Sequence, residues 1–258
     1  MCSVTFWPRQ DGYLLGMNRD ESLIRVVGLP PTRITIGTRT AIHPSEPGGG
    51  TWTSLNDHGV GIALINWYAI TTRASQPTAS RGDVVLALRN CRTADEAADL
   101  LSGLPLVRTN PFRVIGFFAP DQEVWEWRWN LRELACLRHD WSPSQWLSSG
   151  YDEPTAQRIR GTTFDSMRRE PDAGSIAWLR RLHASHGTER GPFSICMHRD
   201  DAATVSYSEL EVSGTLATMR HCLGAPCRAR DFLGETISIC SARAASHGVA
   251  SGRPALTP

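Results

Sequence analysis

Cys2 directly follows the methionine that begins this 258-residue chain, in the opening sequence MCSVTF. If Met1 is removed, Cys2 carries a free α-amine and a thiol on neighbouring carbon atoms. The reference pKa of an α-amine is about 7.7–8.0, so a fraction of it is neutral near pH 7 and can accept the thiol proton. An N-terminal amine that activates its own side chain is a known form of nucleophilic catalysis. Because a small second side chain favours removal of Met1, the sequence predicts a mature protein that begins at Cys2.

Three further motifs accompany this cysteine: Asn-Arg-Asp-Glu at 18–21, Gly-Gly-Thr-Trp at 49–52 and Ser-Arg-Gly at 80–82. Together with Cys2 they resemble the NRDE family, also called TANGO2-like. Its members are similar to N-terminal nucleophile (Ntn) hydrolases such as penicillin V acylase and conjugated bile acid hydrolase. The resemblance is strongest over residues 1–82 and returns at 147–152 and 196–206. It implies an α+β fold, a four-layer αββα sandwich, and hydrolysis or transfer of an acyl group through a Cys2 acyl-thioester.

The resemblance also implies roles for individual residues. An aspartate near the end of the second strand holds the amine of the nucleophile in the acylase relatives, and Asp20 matches it. An asparagine on a later strand contributes to their oxyanion hole, and Asn66 matches it; one such donor changes a rate by about 10²–10³-fold. The relatives carry an arginine three residues before the aspartate, where this chain has Met17. Arg19, beside Asp20, is the arginine that we assign to the catalytic group.

The rest of the expected site follows from the same resemblance. A late-strand arginine supports the nucleophile in the relatives, and Arg199 matches it. The segment that supplies their second oxyanion asparagine reads Leu-Ser-Ser here and leaves Ser149. The expected substrate is a small N-acyl or related acylated molecule. The residues expected to contact it are Asn18, Trp52, Trp67 and Ser149.

The same residues also have simpler interpretations. The Asn-Arg-Asp-Glu motif taken alone is more typical of a solvated strand end with a surface ion pair, which contributes little to stability. Gly48–Gly50 lacks the lysine of a phosphate-binding loop and predicts a plain turn. Cys222 and Cys227 have C-x₄-C spacing next to His221, but they lack a second ligand pair. The sequence therefore predicts no metal site and no cofactor.

A function of a different class remains as an alternative. Trp125, Trp127 and Trp129 alternate with charged residues, so a strand would place all three indoles on one face. Packing under helices is the favoured interpretation, and an aromatic ligand platform is the other. The platform would suit a non-catalytic carrier or chaperone that binds haem, lipid or acyl-CoA. A papain-like enzyme would need a histidine base, for which His198 is the best candidate.

Composition excludes several kinds of chemistry. All 27 basic residues are arginine, which excludes enzymes that need a catalytic or phosphate-binding lysine. A net charge of +1 predicts no general attraction to nucleic acid or to anionic membranes. No apolar stretch approaches the roughly 20 residues of a membrane-spanning helix. Seven cysteines without a regular framework, and no signal-peptide pattern, predict a cytoplasmic protein.

The predicted elements run as strands, two helices, strands, two helices and strands, which is typical of an α+β fold. We expect a single domain over residues 1–241 and a disordered tail over 242–258. A capping box at Thr93–Glu96 begins one helix, and Pro154 lies just inside the start of another. The predicted strands are 3–7, 13–17, 24–28, 33–38, 48–54, 59–67, 112–118, 123–129, 192–199 and 203–212. The predicted helices are 83–90, 93–103, 151–169 and 174–187.

Overall fold

The computed structural model describes residues 2–75 and 78–240, and the predicted tail at 242–258 lies outside the described residues. The strands are β1 Cys2–Arg9, β2 Gly12–Ser22, β3 Leu29–Ile36, β4 Arg39–Ser45, β5 Thr53–Asn56, β6 Val60–Asn66, β7 Phe112–Phe118, β8 Glu123–Trp129, β9 Leu134–His139, β10 Ser144–Ser148, β11 Ala202–Ser213, β12 Leu216–Leu223 and β13 Leu233–Ser238. The helices are α1 Gly82–Leu88, α2 Ala94–Ser102, α3 Glu153–Met167 and α4 Ile176–Ala184, with short 3₁₀ turns at Leu106–Arg108 and Pro226–Arg228.

The strands form two antiparallel sheets. The first sheet has the order β10-β1-β2-β11-β12-β13, and the second runs from β3 to β9 in sequence order. The strand that begins with Cys2 is therefore interior to its sheet, with β2 on one side and β10 on the other. This position supplies Cys2 with backbone partners on both sides.

Side-chain alternation along the strands separates four layers. On β2, Leu14 packs with helices α3 and α4, whereas Leu15 faces the core between the two sheets. On β6, Ile62 packs beneath α1 and α2, whereas Ala63 faces the same intersheet core. The order of layers is helices, sheet, sheet, helices, so the predicted αββα sandwich is confirmed.

The tryptophans of β8 belong to the core beneath the helices. Trp127 and Trp129 are buried in the cluster under α1 and α2, and Trp125 packs at its edge. The indole N–H of Trp129 donates to the carbonyl of Thr109 at 2.9 Å. Packing under helices, the favoured interpretation of this stripe, is confirmed.

Residues at the helix N-termini predicted where α2 and α3 begin. The Thr93 hydroxyl accepts the backbone N–H of Glu96 at 3.1 Å, and Asp152 caps α3 with Pro154 in its first turn. These contacts satisfy N–H groups that have no partner inside the helix. Helices α2 and α3 therefore begin within one or two residues of their predicted starts.

Two predicted strands are wrong, and a third, predicted at 48–54, begins only at Thr53. Residues 24–28 form a turn and an irregular segment in which Ile24 is 94% exposed, because β2 extends to Ser22 and β3 starts only at Leu29. Residues 192–199 are irregular apart from one bridge between His198 and Ala203. β11 already pairs with β2 and β12, so this segment cannot form a strand along either side of β11.

A buried carboxylate links the two sheets near the end of β10. Glu126 is fully buried and accepts hydrogen bonds from Arg113 and Arg128. Burial alone would raise the pKa of Glu126, but these hydrogen bonds lower it to about 2. Arg113 also donates to the carbonyl of Leu147 at 3.3 Å, which holds β10 of the first sheet against the second sheet.

No helix in the described part of the chain is both long and apolar enough to cross a membrane.

Candidate active site

Cys2 is held by backbone pairing on both sides. It lies opposite Arg19 of β2 and opposite Ser148 of β10. Its side chain faces the intersheet core and is 8% exposed. Burial raises the pKa of the Cys2 thiol, while the charge of Arg19 and a hydrogen bond from the backbone N–H of Asp20 act in the opposite direction. At neutral pH the thiol therefore needs a base before it can attack.

A cavity of about 360 Å³ opens at this end of the sandwich and brings four of the five predicted catalytic residues together. They are Cys2, Arg19, Asp20 and Asn66. Arg199 is not among the residues that line it. Apart from Leu64, Ala79 and two glycines, the rest of the lining is polar or charged. These other residues are Glu21, Arg25, Glu46, Gly50, Thr51, Leu64, Thr78, Ala79, Ser80, Arg81, Gly82 and Asn110.

Arg19 lies on the same face of the first sheet as Cys2 because the two residues are paired across β1 and β2. Its guanidinium donates to Glu46 at 2.5 Å and to Glu21 at 3.3 Å. It also lies 4.6 Å above the ring centroid of Trp52. Trp52 is itself buried in the intersheet core and is not among the residues lining the cavity. Trp52 therefore reaches the site through Arg19.

Asp20 places its side chain on the opposite face of β2, as alternation requires. Its buried carboxylate accepts the hydroxyl of Thr204 at 2.6 Å and the guanidinium of Arg160 at 3.3 Å. Arg160 is fully buried in α3 and also donates to the hydroxyl of Ser3 at 2.8 Å. Arg160 thus links Ser3, which follows Cys2, to Asp20, which follows Arg19. No pattern in the sequence indicated this role.

Asn18 also lies on the helix side of β2. Its side-chain amide donates to the carbonyls of His183 and Ile195 at 2.9 and 2.8 Å, and its oxygen lies 3.1 Å from Nδ1 of His183. All of these contacts fix α4 and the segment after it on the first sheet. The structure places Asn18 away from the cavity, although the sequence suggested that it contacts substrate.

Asn66 ends β6 at the edge of the Cys2 cavity. Its amide donates to the hydroxyl of Tyr68 at 2.8 Å. Tyr68 packs closely on Gly150, where a Cβ atom would lie 3.0 Å from the tyrosine ring. The side-chain amide of Asn66, which the family resemblance assigns to an oxyanion hole, is thus hydrogen-bonded to Tyr68.

A second, larger cavity of about 750 Å³ lies beyond Tyr68. Trp67 and Ser149, both expected to contact substrate, line this cavity and not the first. Arg199 forms an ion pair with Asp201 at 2.7 Å and lies 5.0 Å over the ring of Tyr151, which is another lining residue. Trp67, Ser149 and Arg199 therefore belong to the neighbourhood of the second cavity.

The other two motifs meet at the rim of the Cys2 cavity. A Cβ atom on Gly82 would lie 2.7 Å from the backbone nitrogen of Thr51, so only glycine permits this approach. The packing brings Arg81 into the lining of the cavity, and the guanidinium donates to the carbonyl of Pro111 at 3.4 Å. Burial lowers the pKa of Arg81, although a guanidinium remains protonated at neutral pH. Across residues 2–75 and 78–240 no carboxylate forms an ion pair with it. The Ser-Arg-Gly motif was the sequence signal for this residue.

Comparison with solved structures shows the fold. A cysteine-to-alanine mutant of conjugated bile acid hydrolase from Clostridium perfringens aligns with a TM-score of 0.57 at 9% identity, covering 93% of this chain and 97% of that one. An arginine-to-leucine variant of the same hydrolase aligns with a TM-score of 0.55 at 9% identity, covering 92% and 96%. Penicillin V acylase from Agrobacterium tumefaciens aligns with a TM-score of 0.49 at 9% identity, covering 86% and 83%. No family model and no curated protein matches the sequence. The chain has the Ntn-hydrolase-like fold of the bile acid hydrolase.

Proposed function

We propose that this protein is an N-terminal-cysteine amidohydrolase or acyltransferase that acts on a small N-acyl or related acylated molecule, and that it is a member of the NRDE family. The observation that carries the proposal is the position of Cys2. A cysteine at the second position of the chain begins an interior strand and faces a cavity that also contains Arg19, Asp20 and Asn66. The family membership rests on the motifs at 18–21, 49–52 and 80–82.

The base in this proposal is the α-amine of Cys2. No histidine is among the described residues that line the cavity. Strand β2 continues past Arg19, the partner of Cys2, so Asp20 lies beside the point where the α-amine leaves β1. With its other contacts fixed by Thr204 and Arg160, the Asp20 carboxylate is suited to orient that amine through a charge-assisted hydrogen bond.

The reaction proceeds through a thioester. Sγ of Cys2 attacks the carbonyl carbon of the amide as its proton moves to the α-amine. The C–N bond then breaks, and the leaving amine takes that proton. A water molecule attacks the thioester while the α-amine accepts its proton, the C–S bond breaks, and the proton passes to the sulfur. Attack by a second amine in place of water gives acyl transfer.

Intact-mass measurement tests the starting point of this mechanism. We expect the purified active protein to lack Met1 and to gain one acyl group when it is mixed with an activated acyl ester. The acyl group should map to Cys2, because the cavity exposes that thiol to substrate. Active protein that retains Met1 in full would exclude the mechanism.

We infer further that the substrate carries an anionic group. Arg81 brings a half-buried positive charge into the Cys2 cavity, where its guanidinium donates to the carbonyl of Pro111. Arg19 and Arg25, in contrast, already form ion pairs with Glu21 and Glu46. A carboxylate on the substrate would pair with Arg81 and position the amide bond over Cys2.

Replacing Arg81 should therefore change specificity. A hydrogen bond to a charged group contributes about 1.5–3 kcal/mol, so Arg81→Gln should lower kcat/KM for an N-acyl amino acid by about 10- to 100-fold. The kcat/KM for the matching neutral N-acyl amine should change much less. Arg132→Gln, at an exposed arginine outside both cavities, is the control. Equal losses on both substrates would assign Arg81 a structural role.

A further inference from the structure

Four soft or nitrogen ligand atoms converge behind the first sheet, away from the Cys2 cavity. They belong to His186, Cys196, His198 and Cys227, and all lie within 4.8 Å of one another. The Nε2 atom of His198 is 3.5 Å from both sulfur atoms and 3.2 Å from Nε2 of His186. Cys196 is fully buried, and the other three residues are half-buried.

The three distances from Nε2 of His198 match edges of a zinc tetrahedron. With Zn–S near 2.3 Å and Zn–N near 2.0–2.1 Å, tetrahedral geometry requires S···N edges of about 3.5–3.6 Å and an N···N edge of about 3.3–3.4 Å. Two thiolates and two neutral imidazoles also balance the charge of a divalent cation. We propose that His186, Cys196, His198 and Cys227 form a closed structural Zn²⁺ site.

The set of ligands selects the metal. Thiolate and imidazole together favour Zn²⁺ over the hard cations that prefer oxygen, and four protein ligands leave no open position for water or substrate. A catalytic role for this metal is therefore not part of the proposal. Arg190 lies 3.3 Å from Nδ1 of His198. Zinc at Nε2 would place the ring proton on Nδ1, so the exposed Arg190 would turn away.

The spacing of the ligands explains why the sequence alone did not indicate this site. The ligands come from three separate segments: the end of α4, the irregular stretch before β11, and the 3₁₀ turn after β12. Cys222 and Cys227, the C-x₄-C pair of the sequence, do not act together as ligands. Sγ of Cys222 is directed to the carbonyl of Gly224 at 4.0 Å. Only Cys227 of that pair belongs to the cluster.

The proposed metal has a structural task. Residues 185–201 lack regular secondary structure, yet their carbonyls at Pro192 and Ile195 accept from Arg160 and Asn18. Met197, between two of the ligands, donates its backbone N–H to the hydroxyl of Thr204 at 2.8 Å. That hydroxyl donates to Asp20. Zinc would fix this segment and, through Thr204, the carboxylate beside the α-amine of Cys2.

Metal analysis of the full-length protein tests the proposal. Protein purified under reducing conditions without chelator should contain about one zinc per chain by mass spectrometry. After removal of zinc, Co²⁺ should bind in the same ratio and give the intense visible d–d bands and the sulfur-to-metal charge-transfer band of a tetrahedral thiolate site. Chelation should lower the melting temperature. These measurements do not depend on catalytic activity, and the wild-type titration does not depend on any variant.

Single substitutions assign the ligands. Cys227→Ser and His186→Ala should each raise the Kd for Zn²⁺ by more than about 100-fold, since losing a group that merely orients a ligand costs about 10- to 100-fold. Cys222→Ser, five residues from Cys227 and outside the cluster, should bind zinc like the wild type. The proposal fails if reduced wild-type protein binds neither metal stoichiometrically, or if Cys196 and Cys227 form a disulfide in that preparation. It also fails if the ligand variants retain wild-type affinity or if Cys222→Ser loses it.

Discussion

An N-terminal extension that cannot be removed is expected to abolish turnover while leaving the Cys2 thiol intact. The extension converts the α-amine into an amide, which cannot accept a proton. General-base catalysis contributes about 10²–10⁴-fold, so the rate of amine release from an N-acyl substrate should fall by at least that factor. The matched control is the same extension with a protease site directly before Cys2. Cleavage of that control should restore full turnover.

Substitution of the cysteine distinguishes the enzyme from the carrier. Cys2→Ala should remove turnover and thioester formation, and Cys2→Ser should retain the amine but form an ester more slowly. A carrier of haem, lipid or acyl-CoA would instead bind its ligand equally in the wild-type, extended and substituted proteins. Full turnover of the extended protein would show that the base is elsewhere, even if Cys2 proved to be essential.

Arg160→Met is expected to cause the largest loss of stability. Arg160 is fully buried and pairs with the buried carboxylate of Asp20, so its removal takes away the ion-pair partner that Arg160 supplies to a buried charge. Breaking such a pair costs about 3–5 kcal/mol of the free energy of unfolding. Denaturant unfolding measures the loss, and labelling of Cys2 with an acylating probe should slow in the protein that remains folded.

Two further variants test this explanation. Arg158→Met, at an exposed position on the same helix, should change the free energy of unfolding by no more than about 0.5 kcal/mol. The double variant Arg160→Met with Asp20→Asn should recover part of the stability, because it also removes the buried negative charge. If Arg160→Met and Arg158→Met prove equally stable, the buried pair contributes little to folding.

The sequence predicted the local part of the site and missed the long-range part. Cys2, Arg19 and Asp20 belong to one hairpin, whose turn and strand patterns are visible within 22 residues, and motif matching added Asn66 to the same cavity. Arg160 pairs with Asp20 across a sequence separation of 140 residues, and no local pattern marks an arginine on a helix as buried. Asn18 packs against α4, and Trp52 lies under Arg19. Strand alternation alone does not reveal either contact.

The same division holds for the fold. The hairpins β1–β2 and β7–β8, the cap of α2 and the start of α3 follow from a few neighbouring residues, and the structure confirms them. Residues 192–199 have the composition of a strand, yet β11 has its two edges occupied by β2 and β12. Sheet order decides such cases, and sheet order depends on contacts between distant segments.

The position of β1 between β2 and β10 has a consequence for the order of folding. Pairing of Cys2 with Arg19 closes a short hairpin, whereas pairing with Ser148 must wait until most of the chain has been synthesised. Contacts of such long range form slowly because closing the intervening loop is costly. The proposed nucleophile and the arginine opposite it are therefore brought together before the sheet around them is complete.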